Sequence, residues 1–270
     1  KNCYGLDLSN KRMVEVGKAK LSIADFYRAG VYKRDFIFRL GKVVMRSADQ
    51  IIVPADFLKD IYVRYYKIAE DKILVLKNTL PDINLCDIDS PVVISGRGKT
   101  ILFAGRFLKL KNIDRLIKAF ISNYDAIKPA RLILIGEGPE EKVYREIIGK
   151  WPESDQISII PTVTQAELFG HMRRANLCVC PSLSEVNPNF ILECMSLGRP
   201  VLLTRSNGLS IPLPEELLFS YDNQKELTDK MKHILIGGYD ASQIRKLICG
   251  GSEKLSWGYI VNKYKKILNF

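Results

Sequence analysis

Histidine is scarce in this sequence, with only His171 and His233 among 270 residues. A zinc site would therefore need cysteine partners. None of the six cysteines (Cys3, Cys86, Cys178, Cys180, Cys194 and Cys249) form a Cys-x-x-Cys pair. Cys178 and Cys180 fall inside an apolar run, so reduced, buried thiols of a cytosolic protein are expected. Long apolar runs are missing as well. Stretches such as Ile101–Gly105 and Leu132–Gly136 fall far short of the ~20 residues that cross a bilayer. No internal repeat, low-complexity tract or signal peptide is visible, and the chain opens on Lys1 rather than Met.

What remains is the composition of a globular protein, 47% hydrophobic and 26% charged, with charge too interspersed for a disordered chain. At ~150 residues per domain the length suggests about two domains. The net charge of +11 is unevenly placed. Residues 11–46 carry ten basic residues against Glu15, Asp25 and Asp35, interleaved with Phe26, Tyr27, Tyr32, Phe36 and Phe38. Such a stretch suits an anionic membrane surface or phosphate groups, and equally a solvated helix face. No nucleic-acid module signature accompanies it, so nucleic acid is not expected as a partner.

From Lys99 onward short aliphatic runs alternate with helical patterns. The runs are Thr100–Ala104, Arg131–Ile135, Ile157–Ile160, Leu177–Cys180, Pro200–Thr204 and Leu217–Tyr221. Ile113, Leu116, Ile117, Phe120 and Ile121 follow the spacing of one apolar helix face. Thr164-Gln-Ala-Glu167 reads as a capping box. Strands apolar on both faces, alternating with helices, predict a parallel sheet covered on each side, a doubly wound α/β domain over 99–250. Residues 1–90 offer only two credible strands, Gln50–Val53 and Lys72–Leu76. They read as the C-terminal remnant of a first domain, joined by a linker that the Pro-bounded stretch Leu80–Pro91 opens and residues 91–98 complete. Residues 251–270 read as an amphipathic closing helix.

The densest candidate site is Glu185-Val-Asn-Pro-Asn-Phe-Ile-Leu-Glu193, just after the Leu177–Cys180 strand and therefore at the carboxyl edge where such sheets bind ligands. Asn187 and Pro188 are the expected N-cap and first helical residue. The free N–H groups of Asn189, Phe190 and Ile191 would then suit a diphosphate. Glu193, one turn after Asn189, is placed to accept two ribose hydroxyls, and Glu185 lies towards the sugar end. Both glutamates also fit a solvated loop and helix. A second loop, Gly105-Arg106-Phe-Leu-Lys109-Leu-Lys111-Asn112, offers Arg106 and Lys111 as cations, a Gly for close backbone approach, and Asn112 as a helix cap. Gly136-Glu-Gly138-Pro139 is a third sharp turn on that edge. Gly96-Arg-Gly98-Lys99-Thr100 imitates a Walker A end but lacks the earlier Gly and precedes a strand, so a turn is expected there.

On these residues the sequence resembles glycosyltransferase family 4, retaining nucleotide-sugar transferases of GT-B fold. The family's two glutamates separated by seven residues appear as Glu185 and Glu193, followed by Gly198-x-Pro200-Val201. Its Gly-Arg…Lys element appears as Gly105, Arg106 and Lys111, with four intervening residues, and its Gly-x-Gly-Pro as Gly136–Pro139. Ala48-Asp49-Gln-Ile-Ile-Val-Pro54 and Ser256-Trp257 match the end of its first domain and its C-terminal crossing helix. Val186, Cys194 and Pro161 depart from its usual Gly, Ala and Gly.

The resemblance implies a Rossmann-like donor domain in which Arg106 and Lys111 bind the diphosphate, Glu193 the ribose and Glu185 the donor sugar. Main chain near Pro161–Val163 would hold the nucleobase. It implies no cofactor and no metal, because cations and the helix end take the metal's place. The expected partners are a nucleotide-sugar donor and a glycan or lipid-linked acceptor, handled in the cytoplasm at or near the inner membrane face. A nucleotide-sugar-binding half without transfer activity is the alternative, and a basic nucleic-acid or membrane binder with incidental glutamates a more distant one.

Overall fold

The structure, a computed structural model, describes residues 3–7, 12–16, 43–64, 66–78, 98–209, 211–237, 239–249 and 257–268. Its centre is a six-stranded parallel sheet of β5 (Lys99–Ala104), β6 (Ala130–Ile135), β7 (Ile157–Ile160), β8 (Leu177–Cys180), β9 (Val201–Thr204) and β10 (Leu218–Phe219), in the order β10-β9-β8-β5-β6-β7. All four residues of β8 and of β9 are buried, as strands covered on both faces require. The six strands fall on the predicted runs, and the chain has the expected doubly wound α/β architecture.

The β5–β6 and β8–β9 crossovers run in opposite directions from the centre, so strand order reverses between β5 and β8. Open α/β sheets bind ligands at such a switch point, outside the strands' carboxyl ends.

Helices supply the outer layers. Two small elements lie ahead of the sheet: the parallel pair β3 (Ile51–Val53) and β4 (Ile73–Val75), and between them α1 (Asp56–Arg64). Val53, Ile68 and Ile73 form a separate small core there. In α2 (Ile113–Ile127) the stripe Ile113, Leu116, Ile117, Phe120 is fully buried against the sheet. After it come α3 (Glu141–Ile148), α4 (Gln165–Arg174), α5 (Asn189–Ser196), α6 (Gln224–Gly237), α7 (Ala241–Cys249) and α8 (Trp257–Leu268). The capping box on α4 forms as predicted: Glu167 N–H donates to Thr164 Oγ1 at 3.4 Å, and Thr164 N–H to Glu167 Oε2 at 2.9 Å. No helix among the described residues is long and apolar enough to cross a membrane.

Three expectations need correction. The front of the chain holds an antiparallel hairpin, β1 (Cys3–Asp7) with β2 (Arg12–Val16), besides the two predicted strands. Its first strand, Cys-Tyr-Gly-Leu-Asp, has no β-branched residue and a central Gly, so local propensity hides it. Helix α5 starts one residue later than predicted. The Pro188 carbonyl accepts from both Ile191 N–H and Leu192 N–H at 3.1 Å, which makes Pro188 the N-cap, while Asn187 is buried in the loop. Asn112 does occupy the N-cap of α2, but its side chain makes no cap bond. Most of the basic stretch 11–46 and the whole 79–97 linker region lie outside the described residues.

Candidate functional site

Two loops meet at the switch point, 105–112 after β5 and 181–188 after β8. The Leu183 N–H donates to the Leu110 carbonyl at 2.8 Å. Asn112, in the left-handed region at φ 54°, turns its amide away from its own helix and donates to the carbonyls of Pro181 at 3.2 Å and Tyr221 at 3.4 Å. An amide adopts that conformation at less cost than most side chains, and here its donors tie the two loops together.

The joined loops place Lys111 Nζ 2.6 Å from Glu185 Oε1, with the lysine side chain 24% and the glutamate 12% exposed. Ser182 Oγ, fully buried, donates to the same oxygen at 2.5 Å. The backbone of Glu185 is fixed on both sides. Its N–H donates to Ser206 at 3.1 Å, and its carbonyl accepts from Gly208 at 2.9 Å. Gly208 is required by space: a Cβ there would meet the Val186 carbonyl and the Phe57 ring. Cys180 Sγ lies 3.4 Å from Glu185 Oε1. Complete burial, with the nearby Glu185 charge, pushes its thiol up to about 12, so it stays protonated and is no nucleophile.

At the start of α5 the N–H groups of Asn189 and Phe190 have no partner among the described residues, whereas that of Ile191 is taken by Pro188. Two of the three predicted amides are therefore open. The Phe190 ring packs back towards β5, 6.0 Å from Phe103. Asn189 Oδ1 accepts from Asn78 Nδ2 at 2.7 Å, which brings the segment after β4 onto the helix tip. Glu193 lies one turn deeper, and burial raises its carboxyl above the ordinary range. Asn189 and Glu193 line one cavity of about 630 Å³ together with Asn78 and Gln165.

Arg106 is exposed and has no ion-pair partner among the described residues, two residues beyond β5. Gly105 donates its N–H to Ile135 at 3.0 Å, and the Gly136–Gly138 turn packs beneath it, where a Cβ on Gly136 would strike the Gly105 carbonyl. Val163 is partly buried against the main core on the loop after β7, at the sheet's far edge. The structure thus brings Lys111 to Glu185, and Asn189 to Glu193. Of the predicted site residues only Asn189 and Glu193 line this cavity; Lys111, Glu185, Arg106, Phe190, Ile191 and Val163 stand outside its lining. Sequence reasoning missed Ser182, Asn78 and Gln165. Ser182, three residues before Glu185, was the one with a local signal. No cluster of three metal-binding side chains occurs among the described residues.

Residues 98–236 match the family model of glycosyl transferases group 1. The D-inositol 3-phosphate glycosyltransferase of Pseudarthrobacter chlorophenolicus is 35% identical over 114 residues, covering 41% of this chain and 27% of that protein. An uncharacterised glycosyltransferase of Methanocaldococcus jannaschii is 26% identical over 250 residues, covering 83% of this chain and 67% of the relative. The chain thus spans between about a quarter and two thirds of the length of these relatives. Among solved structures, sucrose-phosphate synthase from Thermosynechococcus elongatus superposes with a TM-score of 0.70 at 20% identity, over 93% of this chain and 65% of that one. Anabaena HepE, crystallised with UDP-glucose, gives 0.72 at 15% identity over 86% and 67%. These likenesses are of fold. The family match covers just over half of the chain and includes both candidate loops, and the chain belongs to the group 1 glycosyl transferases.

Proposed function

We propose that this chain binds a nucleoside-diphosphate sugar at the β5/β8 switch point and acts in transfer of the sugar, with retention, to a glycan or lipid-linked acceptor. The observation that carries this reading is the Lys111–Glu185 pair at 2.6 Å, with Ser182 on the same carboxylate oxygen at 2.5 Å, in the loop that leads into α5. It sets a cation and a helix N-terminus at the same sheet edge, where a diphosphate would be stabilised. The crystal complexes of HepE with UDP and with UDP-glucose support a donor of this class.

Transfer breaks the bond between the anomeric carbon and the diphosphate oxygen, and negative charge develops on the leaving group. Lys111, Arg106 and the N–H groups of Asn189 and Phe190 meet that charge. Loading the donor draws Lys111 from Glu185 to the phosphate and leaves the Glu185 carboxylate facing the sugar, where positive charge develops at the anomeric carbon. The acceptor hydroxyl bonds to that carbon on the face being vacated, and its proton passes to the departing phosphate. These protein cations and amides do the work of a metal, so neither metal nor cofactor enters the reading. Glu193 accepts from the ribose hydroxyls, and main chain by Val163 lies towards the base. Action at the cytoplasmic membrane face belongs to this reading as well, with the basic 11–46 stretch in its support.

Thermal-shift titration with UDP, GDP and their sugars tests the donor site. Stabilisation that Lys111→Ala and Glu193→Ala both weaken is expected. Equal stabilisation of both variants would overturn the assignment. Release of nucleoside diphosphate in the presence of acceptor separates transfer from binding alone.

A further inference from the structure

Three donors converge on one oxygen of Glu185, and only one of them carries charge. Lys111 Nζ lies 2.6 Å from Oε1, Ser182 Oγ 2.5 Å and the protonated Cys180 thiol 3.4 Å. The thiol also lies 3.3 Å from Ser182 Oγ. A hydroxyl has a single proton, and that of Ser182 is directed at the carboxylate. The donor reading gives the lysine a task and the two uncharged donors none.

Ser182 is held in place from behind. Strands β8 and β9 pair in parallel with Cys180 opposite Leu203, which brings Thr204 beside the start of the loop that carries Ser182. The Thr204 hydroxyl donates to the Ser182 carbonyl at 2.7 Å, and both residues are fully buried. Asn207 Nδ2 donates in turn to the Thr204 carbonyl at 2.6 Å. Ser182 therefore has no solvent to turn to, and its backbone is tied against following a departing neighbour. A lysine drawn to a diphosphate leaves behind a carboxylate that is only 12% exposed, a state that burial penalises unless other donors remain on it. A cation gains more from a phosphate than a hydroxyl does, so the lysine is the donor that leaves. We propose that Ser182 is a positioning residue of the donor site: it keeps its bond to Glu185 during this exchange and so sets how readily a diphosphate can take Lys111. The proposal rests on the donor reading above and adds to it the group that holds the vacated carboxylate.

Calorimetric titration of UDP into the 270-residue chain tests it, with Ser182→Ala, Glu185→Gln and the double variant alongside. Ser182→Ala should bind UDP about 3- to 30-fold more weakly, although the hydroxyl touches no ligand. In the Glu185→Gln background the same change should alter UDP affinity by less than about twofold, because Lys111 is already free there. Ser182→Thr, which restores the hydroxyl, should recover most of the loss. Unchanged affinity in Ser182→Ala overturns the inference and leaves the donor reading standing. An equal loss in both backgrounds does the same, since it marks a packing role. A crystal structure of the wild type with UDP reads the point without any variant. Lys111 Nζ should sit on a phosphate oxygen with Ser182 Oγ still bonded to Glu185 Oε1, and a Ser182 hydroxyl turned away from Glu185 overturns the inference. A wild type that does not bind UDP overturns both readings.

Discussion

Lys111 and Glu185 lie 74 residues apart in sequence and 2.6 Å apart in space, joined by an ion pair that Ser182 shares. Each charge satisfies the other while the site holds no anion. Under the proposed function a diphosphate must compete for Lys111, and the carboxylate it leaves behind keeps the Ser182 hydroxyl.

The two partners should therefore fail differently. Lys111→Ala removes a charge-assisted contact to the diphosphate, so UDP affinity should fall about 10- to 100-fold by calorimetry. Glu185→Gln frees Lys111 and should keep or improve UDP affinity, while donor turnover drops at least about 100-fold. Matching losses of binding in both variants would make the pair merely structural.

Glu193 predicts a pH dependence. Burial raises its carboxyl, so the charged form is penalised in the folded chain and a proton is taken up at higher pH than by an ordinary glutamate. The carboxylate that the proposed function assigns to the ribose is thus lost as pH falls through that raised value. UDP affinity should decline there, and Glu193→Gln should flatten the profile, with pyrophosphate as the unresponsive control. At neutral pH the same variant relieves a buried charge and should melt about 2–4 °C higher, a gain that disappears in acid.

Asn112 tests how much the loop tie contributes. Asn112→Ala removes two side-chain bonds and puts a Cβ without an amide at φ 54°. Urea unfolding should show a loss of about 2 kcal/mol. Asn112→Gly keeps the backbone conformation but not the bonds, so it should lose about half as much while weakening UDP binding to the same degree as the Ala variant.

Next to Ser206, at the end of β9, Arg205 holds the Glu226 carboxylate at 2.7 and 3.1 Å, and Ser220 N–H donates to it at 2.9 Å. These contacts lower its pKa to about 2 from 4.5. A depressed carboxylate stabilises the fold fully above its unfolded value and loses that contribution as pH falls towards the folded one. Wild type should exceed Glu226→Gln by about 1 kcal/mol at pH 7, since solvent screens the pair. The two unfolding curves should converge near pH 2.

Much of this fold is legible because burial on both faces leaves a simple signature. Val179 and Leu202 sit in unbroken apolar runs that only a covered parallel strand explains, and Thr164 with Glu167 announces its helix start locally. Glu193 was readable for the same reason, since i, i+4 spacing puts it on the face of Asn189. Tertiary pairings were not. The amide of Asn112 reads locally as a cap, yet the approach of the β8 loop gives its donors two better-placed carbonyls. Asn187 before Pro188 looks like a helix cap, yet the loop buries it and the Pro188 carbonyl begins the ladder. Nothing near Asn78 signals that it reaches Asn189, because that contact exists only once β3 and β4 have paired ahead of the large sheet.

That last hydrogen bond couples two kinds of information. Asn78 belongs to the segment leaving the small front sheet, and Asn189 is the first residue of helix α5. Any shift of one body against the other must stretch or break this link, so a change in their spacing reorients the first side chain of the helix. Asn78 also reaches the Asn187 carbonyl at 3.5 Å, and the Phe57 ring lies against Gly208, so the helix tip and the Glu185 loop share the front segment as a neighbour.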